Sequence, residues 1–210
     1  MAFQPPAPQP MEIAGPSGIL QAIVDDPGSA QAGAIAVICH PHPLQGGTMN
    51  NKVVHTLARA LNECAVPTVR FNYRGVGDSV GTYDGGVGET DDALAVIEWA
   101  RLRWPDRPLW LAGFSFGGGV AVRAALRTQA VRLITVAPAM ARDAPPVQLR
   151  DCAWLVIQGD ADEVVSPQIV IDWANALTPR PDLKVLVGAG HFFHGRLIEL
   201  REVVRNWIRG

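Results

Sequence analysis

Cysteine is scarce in this sequence, and none of it is arranged as a metal-binding or disulfide-forming pair. The three cysteines, Cys39, Cys64 and Cys152, are odd in number and widely spaced, which argues against a disulfide framework and against a CxxC zinc site. A cationic start and an apolar signal-peptide segment are also missing from residues 1–10. We therefore expect a cytoplasmic protein in a reducing compartment.

An excess of charge of one sign is absent as well. The net charge is −2, from 18 Lys and Arg residues against 20 Asp and Glu residues interspersed along the chain. Such a chain offers no basic face to a nucleic acid or to an anionic membrane, and no apolar run is long enough to span a bilayer. The expected partner is a small-molecule substrate, and no pattern specifies an oligomeric state.

What the chain does have is a regular alternation of apolar runs and helix-compatible segments. Residues 1–10, rich in Pro and Gln, are predicted as a flexible leader, and residues 11–210 as a single domain. The predicted strands are 11–14, 19–24, 34–39, 68–72, 109–112, 131–137, 153–158 and 184–187. The predicted helices are 52–64, 90–103, 116–128, 167–177 and 195–208.

This alternation is typical of βαβ units, in which a mostly parallel sheet carries helices on both faces. The first two strands are joined by Gly-Pro-Ser-Gly and are predicted to form an antiparallel hairpin. Only about fifteen residues connect the sixth strand to the seventh, which is too few for a large lid. The predicted fold class is therefore α/β, without a large lid.

One motif on this framework points to chemistry. Residues 113–117 read Gly-Phe-Ser-Phe-Gly between an apolar strand and a helix-compatible run. This is the context of a nucleophile elbow, in which the serine, here Ser115, sits on a strained turn above the sheet. The N-terminus of the following helix favours negative charge, so the Phe116 N–H is predicted as the first oxyanion donor. A plain strand-to-helix turn is the alternative interpretation.

A serine nucleophile needs a base, and the base needs an acid that orients it. His191 follows the last predicted strand and is the expected base, with His194 as its competitor. An acidic cluster follows the seventh strand and offers three carboxylates: Asp160, Asp162 and Glu163. The chain order serine, acid, histidine is the order expected on this type of sheet.

Together these residues resemble the α/β-hydrolase superfamily, particularly its small, lidless, dienelactone-hydrolase-like serine esterases. The resemblance covers nearly the whole chain after the leader. In that family Gly-x-x-Asp follows the seventh strand, which implies Asp162 as the acid and leaves Asp160 and Glu163 as turn or surface carboxylates. The resemblance implies a carboxylesterase that cleaves an ester or related acyl bond through a Ser115–His191–Asp162 catalytic triad and an acyl-enzyme intermediate.

Two glycine- or proline-bearing loops belong to the same comparison. Residues 74–79, Arg-Gly-Val-Gly-Asp-Ser, resemble the family's turn after the fourth strand, and they lack the third glycine of a dinucleotide motif. The loop after the third strand reads His-Pro-His-Pro-Leu, where the family more often has a His-Gly segment. Since its prolines carry no N–H, either His42 or Leu44 must supply the second oxyanion donor, and we expect His42.

The two histidines of that loop are also compatible with a metal site. No third ligand follows at a suitable spacing, so we expect no metal ion and no cofactor, with His40 bracing the loop by hydrogen bonds. Several apolar residues flank the predicted site loops and are candidates for an acyl pocket, although simple packing explains them equally well. These residues are Leu44, Phe116, Met140, Phe192 and Phe193.

Other activities fit the same pattern. A thioesterase, a peptidase or a lactone hydrolase would use the same triad with another leaving group. The proline-bearing loop is also compatible with a catalytically silent homologue that binds a ligand or a protein partner. Without a lid, we expect small substrates to be preferred over long-chain lipids.

Overall fold

An eight-stranded sheet forms the centre of the structure, a computed structural model that describes residues 7–28, 33–140 and 147–210. The strands are β1 (Gln9–Gly15), β2 (Gly18–Asp25), β3 (Ile35–Cys39), β4 (Thr68–Phe71), β5 (Leu109–Phe114), β6 (Ala130–Val136), β7 (Ala153–Gly159) and β8 (Asp182–Leu186). Five of them, β3 to β7, are almost wholly buried, as strands covered on both faces should be.

The strand order is β1-β2-β4-β3-β5-β6-β7-β8. The first two strands form an antiparallel hairpin, β2 is antiparallel to β4, and all the remaining pairs are parallel. β5 lies between β3 and β6. The loops after these strands therefore meet at one edge of the sheet, where ligands bind in open α/β sheets.

Five helices cover the two faces of the sheet. They are α1 (Lys52–Asn62), α2 (Val87–Arg103), α3 (Phe116–Ala125), α4 (Pro167–Ala176) and α5 (Leu197–Arg209). Buried side chains of α2, α3 and α4 form one apolar core with the sheet, and those of α1 and α5 form the other. The expected α/β architecture with helices on both faces is confirmed.

Several element boundaries differ from the sequence prediction by one to three residues, including the starts of β1 and α2. β1 begins at Gln9, inside the predicted leader, because Gln9 and Pro10 pair with Val24 and Ile23 of the hairpin. Proline is tolerated there since β1 is an edge strand. Helix α2 begins at Val87 instead of residue 90. Residues 1–6 of the predicted leader lie outside the described residues.

The connection above the serine turn is short. β6 ends at Val136 and β7 begins at Ala153, so residues 137–152 cannot hold a lid domain. The prediction that the fold has no large lid is confirmed. In the described parts of the chain, no helix is long and apolar enough to cross a membrane.

Candidate active site

Ser115 occupies a strained turn between β5 and α3. Its backbone has φ 55° and ψ −121°, a region that non-glycine residues rarely adopt. The surrounding chain holds it there, because its N–H donates to Val136 O at 2.9 Å and its carbonyl accepts from Gly118 N at 2.8 Å and Ala139 N at 3.0 Å. The strain predicted for a nucleophile elbow is present, and the hydroxyl is presented at the carboxyl edge of the sheet.

Glycines on both sides of the serine make this close packing possible. A Cβ on Gly113 would lie 2.1 Å from Gly117 O, so a side chain there would push the helix away from the strand. A Cβ on Gly117 would lie 2.3 Å from Cys39 O and 2.4 Å from His40 O. The second glycine therefore lets the N-terminus of α3 approach the loop after β3, which brings the two expected oxyanion donors to the same place.

This packing predicts opposite effects for two glycine-to-alanine changes in α3. Gly117→Ala places a methyl group against backbone atoms and is expected to cost more than about 3 kcal/mol of unfolding free energy. Gly119→Ala meets only ordinary contacts, at 3.5 Å from Ala139 O and from Arg123 Nη1. It should stabilise the helix by up to about 1 kcal/mol.

Thermal unfolding measures both effects. At this chain length we expect Tm to fall by about 10 °C for Gly117→Ala and to rise by about 2 °C for Gly119→Ala. Similar melting curves for the two variants would show that the close approach of α3 to the β3 loop is not required.

The structure brings together the three residues predicted to form the triad. His191 Nε2 lies 3.1 Å from Ser115 Oγ, and His191 Nδ1 lies 2.9 Å from Asp162 Oδ2. All three are buried, and they follow β5, β7 and β8 in the chain. The His191 ring is held by Phe114, 4.9 Å away between centroids, and by Phe192 at 5.0 Å.

Asp162 is surrounded by hydrogen-bond donors. Its Oδ1 accepts from Val164 N at 2.9 Å and Val165 N at 2.7 Å, and its Oδ2 accepts from Gln158 Nε2 at 3.0 Å as well as from His191. Burial raises the pKa of Asp162, but the hydrogen bonds from His191, Val165 and Val164 outweigh it and hold the pKa below its ordinary value. The carboxylate is therefore ionised at neutral pH.

Gln158 was not identified from the sequence. It is fully buried at the end of β7 and also donates to Gly159 O at 3.2 Å. The sequence does contain a signal for this residue: Gln158 is an amide in an otherwise apolar strand, and a buried polar group needs a hydrogen-bond partner.

The alternative acids and the alternative base have other contacts. Asp160 Oδ1 accepts from Gly188 N at 2.5 Å, which ties the β7 loop to the β8 loop. Glu163 Oε2 accepts from His191 N at 3.2 Å and so fixes the backbone of the histidine. His194 is exposed and stacks on Phe192, with 5.8 Å between ring centroids. None of the three contacts Ser115 among the described residues.

The loop after β3 is held by side chains of its own histidines. His40 is buried, donates from Nδ1 to Pro41 O at 2.7 Å, and accepts at Nε2 from Tyr73 N at 3.2 Å. Burial lowers the pKa of His40 to about 3, so the ring is neutral and both nitrogens are used. The predicted bracing role of His40 is confirmed by these contacts.

The same loop distinguishes between the two candidates for the second oxyanion donor. Leu44 N donates to His42 Nδ1 at 3.2 Å, so the Leu44 N–H is already used. The His42 N–H has no acceptor within the described ranges. The Phe116 N–H opens α3 and has no partner inside the helix. The geometry thus favours Phe116 and His42 as the donor pair.

The candidate pocket residues do not all face the site. Leu44 and Phe192 are exposed, with 72% and 41% of their surface accessible. Met140 is half-buried against the core on the α3 side. Phe193 is fully buried in the core formed with α1 and α5, so its assignment to the pocket was wrong. The turn in which Phe193 N donates to Gly190 O directs its ring inward.

Phe116, the residue directly after the serine, packs against His42 and against Tyr83, which the sequence analysis did not single out. The Phe116 ring lies 5.0 Å from the His42 ring and 6.0 Å from that of Tyr83, between centroids. Tyr83 belongs to the glycine-rich loop between β4 and α2, in which no periodic pattern indicates side-chain direction.

Residues 74–79 of that loop form a structural turn, because Gly75 N donates to Ser79 O and the Ser79 hydroxyl donates to Asn72 O.

Comparison with known proteins agrees with this geometry. The family model described as serine aminopeptidase, S33, matches residues 31–154. A Xanthomonas campestris α/β serine hydrolase without a lid superposes with a TM-score of 0.91 at 45% identity, covering 100% of this chain and 97% of that one. The chain belongs to the α/β-hydrolase superfamily.

Two relatives extend the comparison of this α/β hydrolase by sequence. An uncharacterized protein of Rickettsia prowazekii is 32% identical over 83% of this chain and 78% of its own length. The lysophosphatidylserine lipase ABHD12 of Macaca fascicularis is 39% identical over 44% of this chain. This second match spans only 23% of the lipase.

Proposed function

We propose that this α/β hydrolase is a serine carboxylesterase that cleaves an ester or related acyl bond of a small substrate. The observation that carries the proposal is the buried hydrogen-bonded chain from Ser115 Oγ through His191 to Asp162, with lengths of 3.1 Å and 2.9 Å. A nucleophile, a base and an orienting carboxylate in this arrangement are the parts that acyl transfer needs.

The chemistry follows from the contacts. His191 Nε2 takes the Ser115 proton as Oγ attacks the substrate carbonyl carbon, and the oxyanion is bound by the N–H groups of Phe116 and His42. His191 then gives that proton to the leaving-group oxygen, which leaves an acyl-enzyme. A water molecule, deprotonated by His191, hydrolyses the acyl-enzyme and restores the serine. Asp162 stays ionised and keeps the His191 Nδ1 proton in place.

The surroundings of the site favour short acyl groups. The connection over residues 137–152 is short, and the candidate pocket side chains Leu44 and Phe192 are too exposed to enclose a long chain. The lipase relative supports an ester bond, whereas the aminopeptidase family description supports an amide. The three cysteines are free, which fits a reducing compartment such as the cytoplasm.

A substrate panel with active-site labelling tests the proposal. A fluorophosphonate should label the wild type at Ser115, and p-nitrophenyl acetate and butyrate should be hydrolysed at least about tenfold more efficiently than the laurate ester. Matched thioester, lactone and aminoacyl anilide substrates test the alternative leaving groups. Faster cleavage of the anilide than of the esters would indicate a peptidase instead of an esterase. A wild-type protein that the fluorophosphonate does not label would indicate a catalytically silent binding protein.

A further inference from the structure

Tyr83 makes a direct contact with the loop that carries the second oxyanion donor. Its Oη lies 3.2 Å from His42 Nε2, and the two rings are 5.1 Å apart between centroids. Building on the proposed acyl-transfer function, we propose that Tyr83 is a positioning residue which, by holding the His42 imidazole, aims the His42 backbone N–H at the oxyanion.

The hydrogen bonds around His42 fix the tautomer of its ring. The Leu44 N–H donates to Nδ1, so in the neutral imidazole the proton is on Nε2. Nε2–H then donates to the Tyr83 oxygen. Because the ring is tied at both nitrogens and packs against Phe116, it cannot rotate without losing one of these bonds.

The loop depends on such side-chain contacts because two of its residues are prolines. Pro41 and Pro43 have no N–H with which to anchor the backbone. Within the turn, the His42 carbonyl accepts from Gln45 N at 3.1 Å and Gly47 N at 3.0 Å, and Gly46 N donates to Pro43 O at 3.2 Å. These bonds close the turn, but they do not connect it to the β4 loop. His40 supplies one such connection, through Tyr73 N, and Tyr83 supplies a second one, at the His42 imidazole.

Tyr83 is itself held by a well-anchored segment. The buried carboxylate of Glu89 accepts from Asp84 N at 2.8 Å and from Gly86 N at 2.6 Å. Gly85 and Gly86 have φ of 61° and 94°, which allows the sharp turn into α2 directly after Tyr83. The tyrosine is therefore fixed from the N-terminus of α2, and it can hold another loop in place.

Two single variants and their combination test this role. Tyr83→Phe keeps the ring and removes the oxygen. His42→Asn keeps an acceptor for the Leu44 N–H, as in an Asx turn, but it is too short to reach Tyr83. Each variant should lower kcat for p-nitrophenyl butyrate by about tenfold to a hundredfold, since a 1 Å misplacement of a site group costs about that much. KM should stay within about threefold of the wild-type value.

A coupling measurement separates positioning from a general structural effect. The double variant should be no slower than the slower single variant, because both changes break the same link. The affinity for a trifluoromethyl ketone, whose hemiketal oxyanion uses the same donors, should fall by the same factor as kcat/KM. The fluorophosphonate should still label both variants, and Tm should change little because the Tyr83 hydroxyl is only partly buried.

Other outcomes overturn the inference in distinguishable ways. Wild-type kcat in Tyr83→Phe would show that the link is unnecessary. A loss confined to KM would show that Tyr83 binds the substrate, and additive losses would show that the two residues act separately. A wild type that neither hydrolyses esters nor reacts with the fluorophosphonate would overturn the proposed function, and this inference with it.

Discussion

Ser115→Ala is expected to lower kcat for a short-chain ester by at least about a thousandfold, and by as much as about a millionfold, while the protein stays folded. The change removes the oxygen that forms the acyl-enzyme. Among the contacts of the described residues, the only side-chain hydrogen bond lost is the one between Ser115 and His191. Alanine can occupy the same strained turn, because the backbone bonds to Val136, Gly118 and Ala139 remain. Residual turnover would come from the Phe116 and His42 N–H groups alone.

The measurement is steady-state turnover of p-nitrophenyl butyrate together with a thermal melt. Ser166→Ala is the matched control, since Ser166 is exposed at the start of α4 and its side chain makes no capping hydrogen bond. This variant should keep wild-type kcat. A Ser115→Ala variant that retains more than about a tenth of wild-type turnover, free of contaminating esterase, would disprove the nucleophile assignment.

Asp162→Asn is expected to lower kcat by about ten-thousandfold with little change in KM. Because Val164 N and Val165 N both point at the Oδ1 position, the amide oxygen of an asparagine should take that position. The amide NH2 then faces His191 Nδ1 and donates to it, which moves the imidazole proton to Nε2. In this tautomer His191 cannot accept the Ser115 proton.

Asp160→Asn is the control for charge removal in the same loop. Asp160 is exposed and bonds Gly188 N, so this variant should stay within about threefold of wild-type kcat. Stopped assays at saturating ester give kcat, and unfolding curves check that both variants fold. Equal losses in the two variants, or a loss in Asp162→Asn of less than about tenfold, would contradict the assignment of Asp162 as the orienting acid.

The elements and the order of the site residues were predictable because each has a local signal. Alternating apolar runs predicted the eight strands and five α-helices of the described residues to within about three residues at each end. The Gly-Phe-Ser-Phe-Gly turn and the cluster after β7 predicted residues that the fold then brings within hydrogen-bond distance. The start of α2 was placed too late because its cap consists of Gly86 and the buried Glu89 carboxylate, which no apolar periodicity reveals.

Residues in irregular loops were harder to interpret. Phe192 and Phe193 are adjacent and chemically identical, yet one is exposed beside His191 and the other is buried under α1 and α5. The direction of each ring depends on the turn at Gly190, and neither strand nor helix periodicity applies there. Tyr83 and Gln158 were missed for a related reason, since their importance lies in contacts with residues distant in the chain.

The amino-acid sequence alone was enough to predict the α/β sheet, the serine turn and the histidine, because these depend on hydrophobic period, glycine spacing and chain order. Among the three carboxylates after β7, Asp162 was selected by the family resemblance. Only the tertiary structure could decide how the loops beside the serine are held. His42 Nδ1 accepts a hydrogen bond from the Leu44 N–H, and His42 Nε2 is hydrogen-bonded to Tyr83 in the loop after β4. Such contacts follow from the packing of neighbouring strand ends, which local sequence does not encode.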